Sequence, residues 1–407
     1  MPKINTDLLI IGGGVAGLSA AFLCQNKISV TLVDSQDILG KKWRIAGGAM
    51  ANMTNRTISP EHYVSHNPKQ AKKLLQSLFK FWQTEETLAL MRDMGMDFEE
   101  REYGQIFCKK PVKILIDTLI QALSKTNILC SQKIQSYFYN EEQGEELYTI
   151  KTQSHEITCK ILLIATGSTA YPQLGASDFS LRLAQKWGHK VFPFRPALVP
   201  LLLPHNSPLL GLEGISLPVQ IKILLEHGQE KTDPCGIRPL LFTHTSISGP
   251  ASLVISCLWE QGETLCIDFL PHDSLLEKMH DPANGKKLVK NLILQLMPDR
   301  LAYALMPKEL QERKIAELSK KDREQLAVAI HKYQFIPAST DSLKKAEACL
   351  GGIDISSVSS NLESSLHKNL FFAGECLDIT GLLGGYNIHF ALACANKIAN
   401  KITKIAT

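Results

Sequence analysis

Six residues near the start of the chain, Gly12-Gly13-Gly14-Val15-Ala16-Gly17, fit the spacing G-x-G-x-x-G that holds the pyrophosphate of a dinucleotide. Each residue type has a reason. Gly12 permits the tight turn, Gly14 lets the backbone come close to a pyrophosphate, and Gly17 lets a helix pack on a strand. Ala16 lies between them on the first turn of that helix, whose N-terminus stabilises the anion, and is grouped with the cofactor residues. Asp34 follows 22 residues after Gly12, at the end of the next apolar run, where a carboxylate accepts hydrogen bonds from ribose hydroxyls. The fingerprint alone does not separate one dinucleotide from another. Other residues could move protons. Tyr386 and His389 stand three apart on one helix and so on neighbouring faces. Tyr386 either donates a proton or packs as an aromatic wall. His389 is of a type that titrates near neutrality, with a hydrogen-bonded structural role as the competing reading. His244, in Thr243-His244-Thr245, either faces the reacting groups or anchors its own loop. Cys108 and Cys376 are thiol candidates, each weighed against a small buried hydrophobe.

Two later stretches bear on which dinucleotide is bound. Ile161-Leu162-Leu163-Ile164-Ala165-Thr166-Gly167 is an apolar strand ending in Ala-Thr-Gly, and Leu370-Phe371-Phe372-Ala373-Gly374-Glu375 is an apolar strand ending in Gly and an acid. Together with the fingerprint they resemble the FAD domain of the glutathione-reductase-like flavoproteins. The resemblance implies that the Thr166-Gly167 turn passes the cofactor, and that Gly374-Glu375 brings a carboxylate to the ribityl chain. It also implies that Gly384-Gly385-Tyr386-Asn387 opens a helix whose N–H groups point at the flavin N1/O2 edge, where negative charge builds on reduction. FAD is therefore the expected cofactor. No second G-x-G-x-x-G occurs, so NAD(P)H is expected only as a transient donor.

A more specific resemblance lies at Gly40-Lys41-Lys42-Trp43-Arg44-Ile45-Ala46-Gly47-Gly48-Ala49-Met50-Ala51-Asn52-Met53-Thr54-Asn55, which is similar to the "GrK-l-iSGGGRCNlTN" segment of the BaiN-like bacterial flavoproteins. Leu241-Phe242-Thr243-His244 through Ser248-Gly249-Pro250, Ala346 through Asp354, and Phe372-Ala373-Gly374-Glu375 through Gly384-Gly385-Tyr386-Asn387 resemble further segments of that family in its order. By that resemblance Lys42 and Asn52 belong to the cofactor site, Asn52 and Asn55 hold backbone or flavin groups, and Asp378 and the Gly381 turn shape the approach to the flavin. The departures bear on the chemistry. The family's Arg-Cys pair is Met50-Ala51 here, its third Gly is Ala49 where a positive φ is wanted, its "GRvFP" Arg and Pro are Gln105 and Cys108, and His389 replaces its usual Gln.

A flavin supplies hydride transfer, and the protein contributes positioning, electrostatics and a proton source. The resemblance implies reduction of an activated C=C bond, or the reverse dehydrogenation. Two substrate classes come with it: a steroid-like enone of bile-acid metabolism, and a uridine of ribosomal RNA reduced to dihydrouridine. Uridine reduction commonly uses a Cys acid, and Ala51 cannot transfer a proton. Three readings follow. One is an NAD(P)H-linked FAD oxidoreductase acting on a small molecule. Another is a ribosomal-RNA uridine reductase, for which Lys/Arg residues of an inserted domain should gather on one face. The last is a divergent flavin-binding protein with little catalysis.

These residues need elements to position them. Residues 7–11, 15–26 and 30–33 read as a βαβ unit, 69–94 and 112–125 as helices, and 129–158 as a strand pair around the polar turn Asn140 to Gly144. The texture changes near Phe192. The expected architecture is α/β: a split, three-layer, Rossmann-like FAD-binding domain with a β-rich insertion and a small helical one. Its pieces are 1–192 and 334–407 for the FAD domain, 193–272 for the β-rich insertion and 273–333 for the helical insertion. The chain has 44% hydrophobic and 21% charged residues, which excludes a disordered, collagenous or coiled-coil protein. No apolar run reaches membrane-spanning length, so no membrane partner is expected. The ten cysteines include no Cys-x-x-Cys, so neither a zinc ribbon nor a thioredoxin-type site is expected, and no metal site. Met-Pro-Lys runs into a strand by Asp7, leaving no room for a signal peptide, and the expected location is the cytoplasm. A net charge of +4 neither demands an RNA partner nor excludes one. Basic pairs such as Lys41-Lys42, Lys286-Lys287 and Lys320-Lys321 read as solvated surface.

Overall fold

The computed structural model describes residues 1–142, 145–234 and 236–405. The chain divides into two compact units, one of Met1–Pro196 with Glu347–Thr407 and one of Ala197–Ala346.

In the first unit, parallel strands lie in the order Thr126–Leu129, Val30–Val33, Lys3–Ile11 and Glu156–Ile164, and Leu370–Phe372 joins the last of these. Leu8, Leu9 and Ile10 are fully buried, because helices cover both faces of such a sheet. That is why these strands read as unbroken apolar runs and not as alternation. Register decides where the chemistry goes. Ile11 pairs with Val33 on one side and Ile164 on the other, and Ile164 pairs with Phe372. Four carboxyl ends therefore finish level, and the next residues of each (Gly12, Asp34, Ala165 and Ala373) emerge along one edge. In open α/β sheets this edge is where ligands bind. The amino half of Glu156–Ile164 pairs antiparallel with Glu145–Thr152, which pairs with Ile134–Glu142. Residues 143 and 144 of the expected polar turn lie outside the described residues.

The helix Val15–Cys24 and the last helix, Tyr386–Ile405, cover the sheet. The Gly374 turn fits closely between them: a Cβ there would lie 3.6 Å from the methyls of both Ala16 and Ala391. The helix expected over 69–94 is two helices, Pro68–Phe79 and Thr84–Asp93. The break has a local cause, since the Gln83 N–H donates to Glu86 Oε2 at 2.8 Å and starts a new N-terminus. Two small sheets hold the remaining site segments. Asn52–Asn55 and Phe98–Glu100 flank Gln105–Cys108, and Tyr63–Val64 pairs with Thr380–Gly381.

The second unit is built on an antiparallel sheet in the order Tyr333–Phe335, Thr264–Asp268, Ser216–Leu224, Arg238–Phe242, Ser246–Ser248, Leu201–Leu202 and Ser339–Thr340. It runs to Ala346 where the sequence expectation stopped at 333, because the two strands after 332 pair into this sheet. The expected β-rich and helical insertions share one core. Val219, Ile221, Leu240 and Ile267 of the strands pack with Leu275, Leu292, Leu301, Leu326 and Ile330 of the helices. The two layers bury their apolar faces on each other and so make one unit.

Candidate functional site

The glycine turn behaves as its spacing demands. Gly12 has φ +109°, and a Cβ there would come within 2.4 Å of the Ala165 carbonyl oxygen. At Gly17 a Cβ would meet the Gly12 carbonyl oxygen at 1.8 Å, so helix and strand approach as closely as backbone allows. Gly14 differs. A Cβ there meets nothing within 4 Å, and it precedes the free N–H groups of Val15–Cys24. This is open space at a helix N-terminus, the arrangement that receives an anion. Asp34 supports the turn from below. Its Oδ2 accepts from the Gly13 N–H at 2.6 Å and its Oδ1 from the Gln36 N–H at 2.7 Å. Burial pushes its carboxyl up, and those two N–H bonds work against the shift. Each oxygen keeps a second lone-pair direction for a hydroxyl.

A second cluster forms where Ala165 and Ala373 leave the sheet. Lys42 Nζ donates to both oxygens of Glu375, at 2.9 and 2.7 Å, and Ser168 Oγ donates to Glu375 Oε2 at 2.9 Å. Gly167 has φ +71° and lies beside the same carboxylate. The side chains of Lys42 and Glu375 remain 32% and 20% exposed, so the pair is open to a ligand's hydroxyls. Glu347 stands on the Lys42 side. Its carboxyl is pushed up by the protein surrounding it, an effect that the Lys42 charge opposes. Ser168 and Glu347 were not anticipated from sequence, since nothing in their local pattern marks them.

The third part is the turn before the last helix. Gly384 and Gly385 have φ +153° and +89°, and a Cβ on Gly385 would lie 2.6 Å from both Asn52 Oδ1 and the Thr54 carbonyl oxygen. Asn55 Nδ2 donates to the Gly384 carbonyl at 3.1 Å, and Asn387 closes the turn through Gly381, donating to its carbonyl and accepting from its N–H, both at 2.8 Å. The expectation that Asn55 holds backbone is met by this geometry. Two buried polar atoms at the edge, Asn52 Oδ1 and Thr166 Oγ1, have no hydrogen-bond partner among the described residues. Such atoms are rare unless a ligand satisfies them.

The candidate proton donors fare differently. Tyr386 is buried, its ring stacked on His62 at 4.5 Å, and its carbonyl accepts from the Tyr63 hydroxyl at 3.0 Å. That is the wall-forming reading. His389 is fully buried, with Nδ1 2.8 Å from Thr54 Oγ1 and its ring edge-on to Phe79. Burial lowers its pKa to about 4. A sealed, neutral imidazole cannot exchange protons with a substrate, so the catalytic expectation for His389 gives way to the structural one. His244 belongs to the second unit, with a side chain 86% exposed and Nδ1 4.0 Å from Glu213. It anchors nothing tightly. Cys108 and Cys376 are buried thiols pushed up to about 12 by burial, and Cys376 donates to the Ala373 carbonyl. Both match the buried-hydrophobe reading.

The loop that carries the departures is backbone-strained. Gly47, Gly48, Ala49 and Ala51 have φ of 55°, 66°, 70° and 39°, so Ala49 adopts the left-handed conformation its glycine counterpart would take freely. The loop is held from outside: Val112 N–H donates to the Ala49 carbonyl at 2.8 Å and Cys108 N–H to the Met50 carbonyl at 3.0 Å. Ala51 is fully buried. Gln105 Oε1 accepts from Asn52 Nδ2 at 3.2 Å, so the residue in the family's Arg position fixes the amide whose oxygen lacks a partner. One dyad, an exposed histidine on a buried carboxylate, exceeds the sequence reading. Asp378 accepts from Ser65 Oγ, His66 N–H and His66 Nδ1 at 3.1, 2.9 and 2.8 Å.

The donor set fits FAD. An anion-binding helix start, a carboxylate beneath it, a polar cluster at Glu375 and two unsatisfied polar atoms follow one another along a single sheet edge. The comparisons agree. The family described as HI0933-like protein Rossmann domain matches residues 6–401. The chain is 33% identical over 410 residues to a ribosomal RNA dihydrouridine synthase of Haemophilus influenzae, covering 98% of this chain and 99% of that protein. It is 32% identical to a protein of the same name from Escherichia coli, over 96% of each. It is 26% identical to a 3-dehydro-bile acid delta(4,6)-reductase of Clostridium scindens, covering 94% of this chain and 96% of that one. That match bears out the likeness to BaiN-like flavoproteins. A 3-ketosteroid-delta4-(5alpha)-dehydrogenase of Rhodococcus jostii shares the fold at 15% identity, with a TM-score of 0.51 over 99% of this chain and 98% of that one. No helix of the described residues is long and apolar enough to cross a membrane. With a profile matched along nearly its whole length and a cradle built for FAD, the chain belongs to the HI0933-like Rossmann-domain family of FAD-dependent oxidoreductases.

Proposed function

We propose that this protein reduces the C5=C6 bond of a uridine in ribosomal RNA to give dihydrouridine, with NAD(P)H as the electron source. The observation that carries the reading is identity of 33% and 32% across nearly the whole chain to two ribosomal RNA dihydrouridine synthases, against 26% to the bile-acid reductase. Both named activities reduce a C=C bond conjugated to a carbonyl, so the reaction class does not depend on which substrate is right. Overall, NAD(P)H and one proton are consumed; hydride reaches the β-carbon (C6 of uridine) and a proton reaches the α-carbon, C5.

FAD held at the sheet edge would supply the hydride. This chain's residues do the rest. Gly12, Gly14, Ala16 and Gly17 form the bed for the pyrophosphate, and Asp34 takes the adenosine ribose hydroxyls. Lys42 and Glu375, with Thr166, Gly167 and Gly374, meet the ribityl chain. Lys42 orients Glu375, so that its oxygens are placed to accept from hydroxyls. Asn52, Gly385, Tyr386 and Asn387 would line the ring system, where the helix N-terminus would stabilise negative charge. The left-handed Gly384-Gly385 turn lets those N–H groups come close without a side chain between. The proton for C5 does not come from position 51, and His389, Cys108 and Cys376 are sealed.

The test uses purified, FAD-loaded protein with ribosomal RNA from cells lacking any dihydrouridine synthase. Under NADH or NADPH, nucleoside mass spectrometry should find uridine gaining two hydrogens at a defined site. Bleaching of the flavin by a nicotinamide donor, with RNA unchanged and a steroid enone reduced, would move the assignment to the small-molecule substrate. Retained FAD that no donor reduces would leave a flavin-binding protein.

A further inference from the structure

Some basic residues of the second unit are neutralised within it, while others, such as Lys286 and Lys287, form no ion pair among the described residues. Lys222 pairs with Glu230 at 2.8 Å, Lys231 with Glu263 at 2.9 Å, Lys278 with Asp273 at 2.8 Å, and Arg313 with Asp322 at 3.0 Å. Exposed positive charge also lies in the first unit, on the helix Pro68–Phe79.

That helix has the sequence PKQAKKLLQSLF and contains no acidic residue. Ala71, Leu74, Leu75, Leu78 and Phe79 are buried, while Lys69, Lys72, Lys73, Gln76 and the following Lys80 are exposed. Lys69, Lys73, Gln76 and Lys80 are spaced i, i+4, i+7 and i+11, so they line one face, with successive turns ~5.4 Å apart. Lys72 is tied to Glu61 at 2.9 Å, but Lys69, Lys73 and Lys80 form no ion pair among the described residues. Lys69 also sits in the first turn, where a cation opposes the helix dipole by roughly 0.3–1 kcal/mol. A lysine stripe is by default solvated surface. Here it comes with a second feature. Phe81, just past the helix, is 55% exposed and flanked by two ammonium groups, Lys80 Nζ at 5.7 Å and Lys397 Nζ at 4.8 Å from its ring centre. Lys397 reaches it from the last helix and also donates to Ser77 Oγ at 3.4 Å. The nearby Glu85 is engaged by Arg56 and Arg92, so it does not cancel the stripe.

An exposed aromatic ring beside a row of cations is the combination that binds single-stranded nucleic acid: phosphates on the lysines and a base stacked on the ring. We propose that the Lys69–Lys73–Lys80 face and Phe81 form a docking surface for a single-stranded segment of the RNA substrate. The proposal rests on the uridine reading above. Connectivity suits it, because Tyr63 and His62, on the segment that leads into this helix, touch Tyr386 at the mouth of the flavin cradle. A strand lying on the lysine face is thus led toward that turn.

The test uses the FAD-loaded protein and a fluorescent single-stranded RNA with total ribosomal RNA as competitor. It compares wild type, the triple Lys69→Gln/Lys73→Gln/Lys80→Gln, Phe81→Ala, and a control Lys286→Gln/Lys287→Gln. The triple variant should keep its flavin and its bleaching by NAD(P)H, yet bind RNA roughly 10–100-fold more weakly near 0.1 M salt, with a log–log salt slope shallower by about 2–3. Phe81→Ala should weaken binding about tenfold with the slope unchanged, since stacking carries no counterion release. The control should match wild type. Wild-type affinity and slope in the triple variant, while wild type still forms dihydrouridine, would overturn the docking surface and leave the uridine reading standing. A wild-type protein that neither binds RNA at low salt nor forms dihydrouridine would overturn both.

Discussion

His389 is fully buried on the last helix, with its Nδ1 2.8 Å from Thr54 Oγ1. A histidine three residues beyond Tyr386 on the flavin-facing helix reads as either a proton carrier or a hydrogen-bonded structural group, because type and spacing are all that the sequence offers. What decides its role is Thr54, Thr87 and Phe79, which are remote in the chain and enclose the ring only after folding. Ala49 is the opposite case. Its place in a glycine run marked it for a left-handed backbone, and its φ is 70°. The His389 environment has a pH signature. Its pKa falls from 6.5 to about 4 on folding, so the unfolded chain binds the proton first. Stability from this site is complete above the unfolded value and is lost as pH falls from 6.5 toward 4. The loss at about pH 5 should be on the order of 2 kcal/mol relative to about pH 7.5. Urea unfolding of His389→Gln at both pH values should show a difference smaller by that amount. An equal difference in variant and wild type would mean that the imidazole is hydrated and titrates normally.

At the scale of elements, the βαβ start, the Ala-Thr-Gly strand and the late Gly-acid strand were readable because their glycines serve backbone geometry that local sequence fixes. The two helices over 69–94 were read as one, since a new N-terminus at Gln83 depends on a side-chain bond that periodicity does not reveal. Charge is legible only in part: pairing within the second unit neutralises some lysines that sequence leaves free, such as Lys222 and Lys231, and the acid-free helix Pro68–Phe79 carries an exposed lysine stripe. The glycine turn allows a contrast between fold and ligand. At Gly17 an added methyl would meet a backbone oxygen at 1.8 Å, whereas at Gly14 it would meet nothing within 4 Å and the backbone has an ordinary φ of −85°. Gly17→Ala should therefore push the helix off the strand, lowering stability by several kcal/mol, at the upper end for single substitutions. Gly14→Ala should leave the melting temperature of the FAD-free protein within a few degrees of wild type, yet weaken FAD binding at least tenfold, because its methyl enters the space that the pyrophosphate needs. Thermal unfolding with and without FAD separates the two. Equal melting temperatures for both variants in the absence of FAD would contradict the close-packing account.

For the whole molecule, the sequence showed an insertion but not its unity. The junction at 272/273 marks a change from strands to helices, and pattern cannot tell that the helices bury their apolar faces on those same strands. Every residue assigned to the FAD cradle, from Gly12 to Asn387, lies in the unit made from both ends of the chain. The other unit has its own core from Leu201 to Ile330. A ligand stabilises what must be folded to bind it, by about 2.7 kcal/mol when its free concentration is 100 times its dissociation constant. If the two cores open independently, that stabilisation belongs to one of them. Amide hydrogen exchange followed with FAD bound and after its removal should then show slower exchange, on FAD binding, in Lys3–Ile11, Val15–Cys24, Glu156–Ile164 and Tyr386–Ile405. Rates in Ser216–Leu224 and Thr264–Asp268 should stay within about twofold, since local opening is governed by the core that each strand belongs to. Uniform slowing across both sets would mean that the chain opens as one cooperative body, with FAD holding the second unit's sheet as firmly as the first.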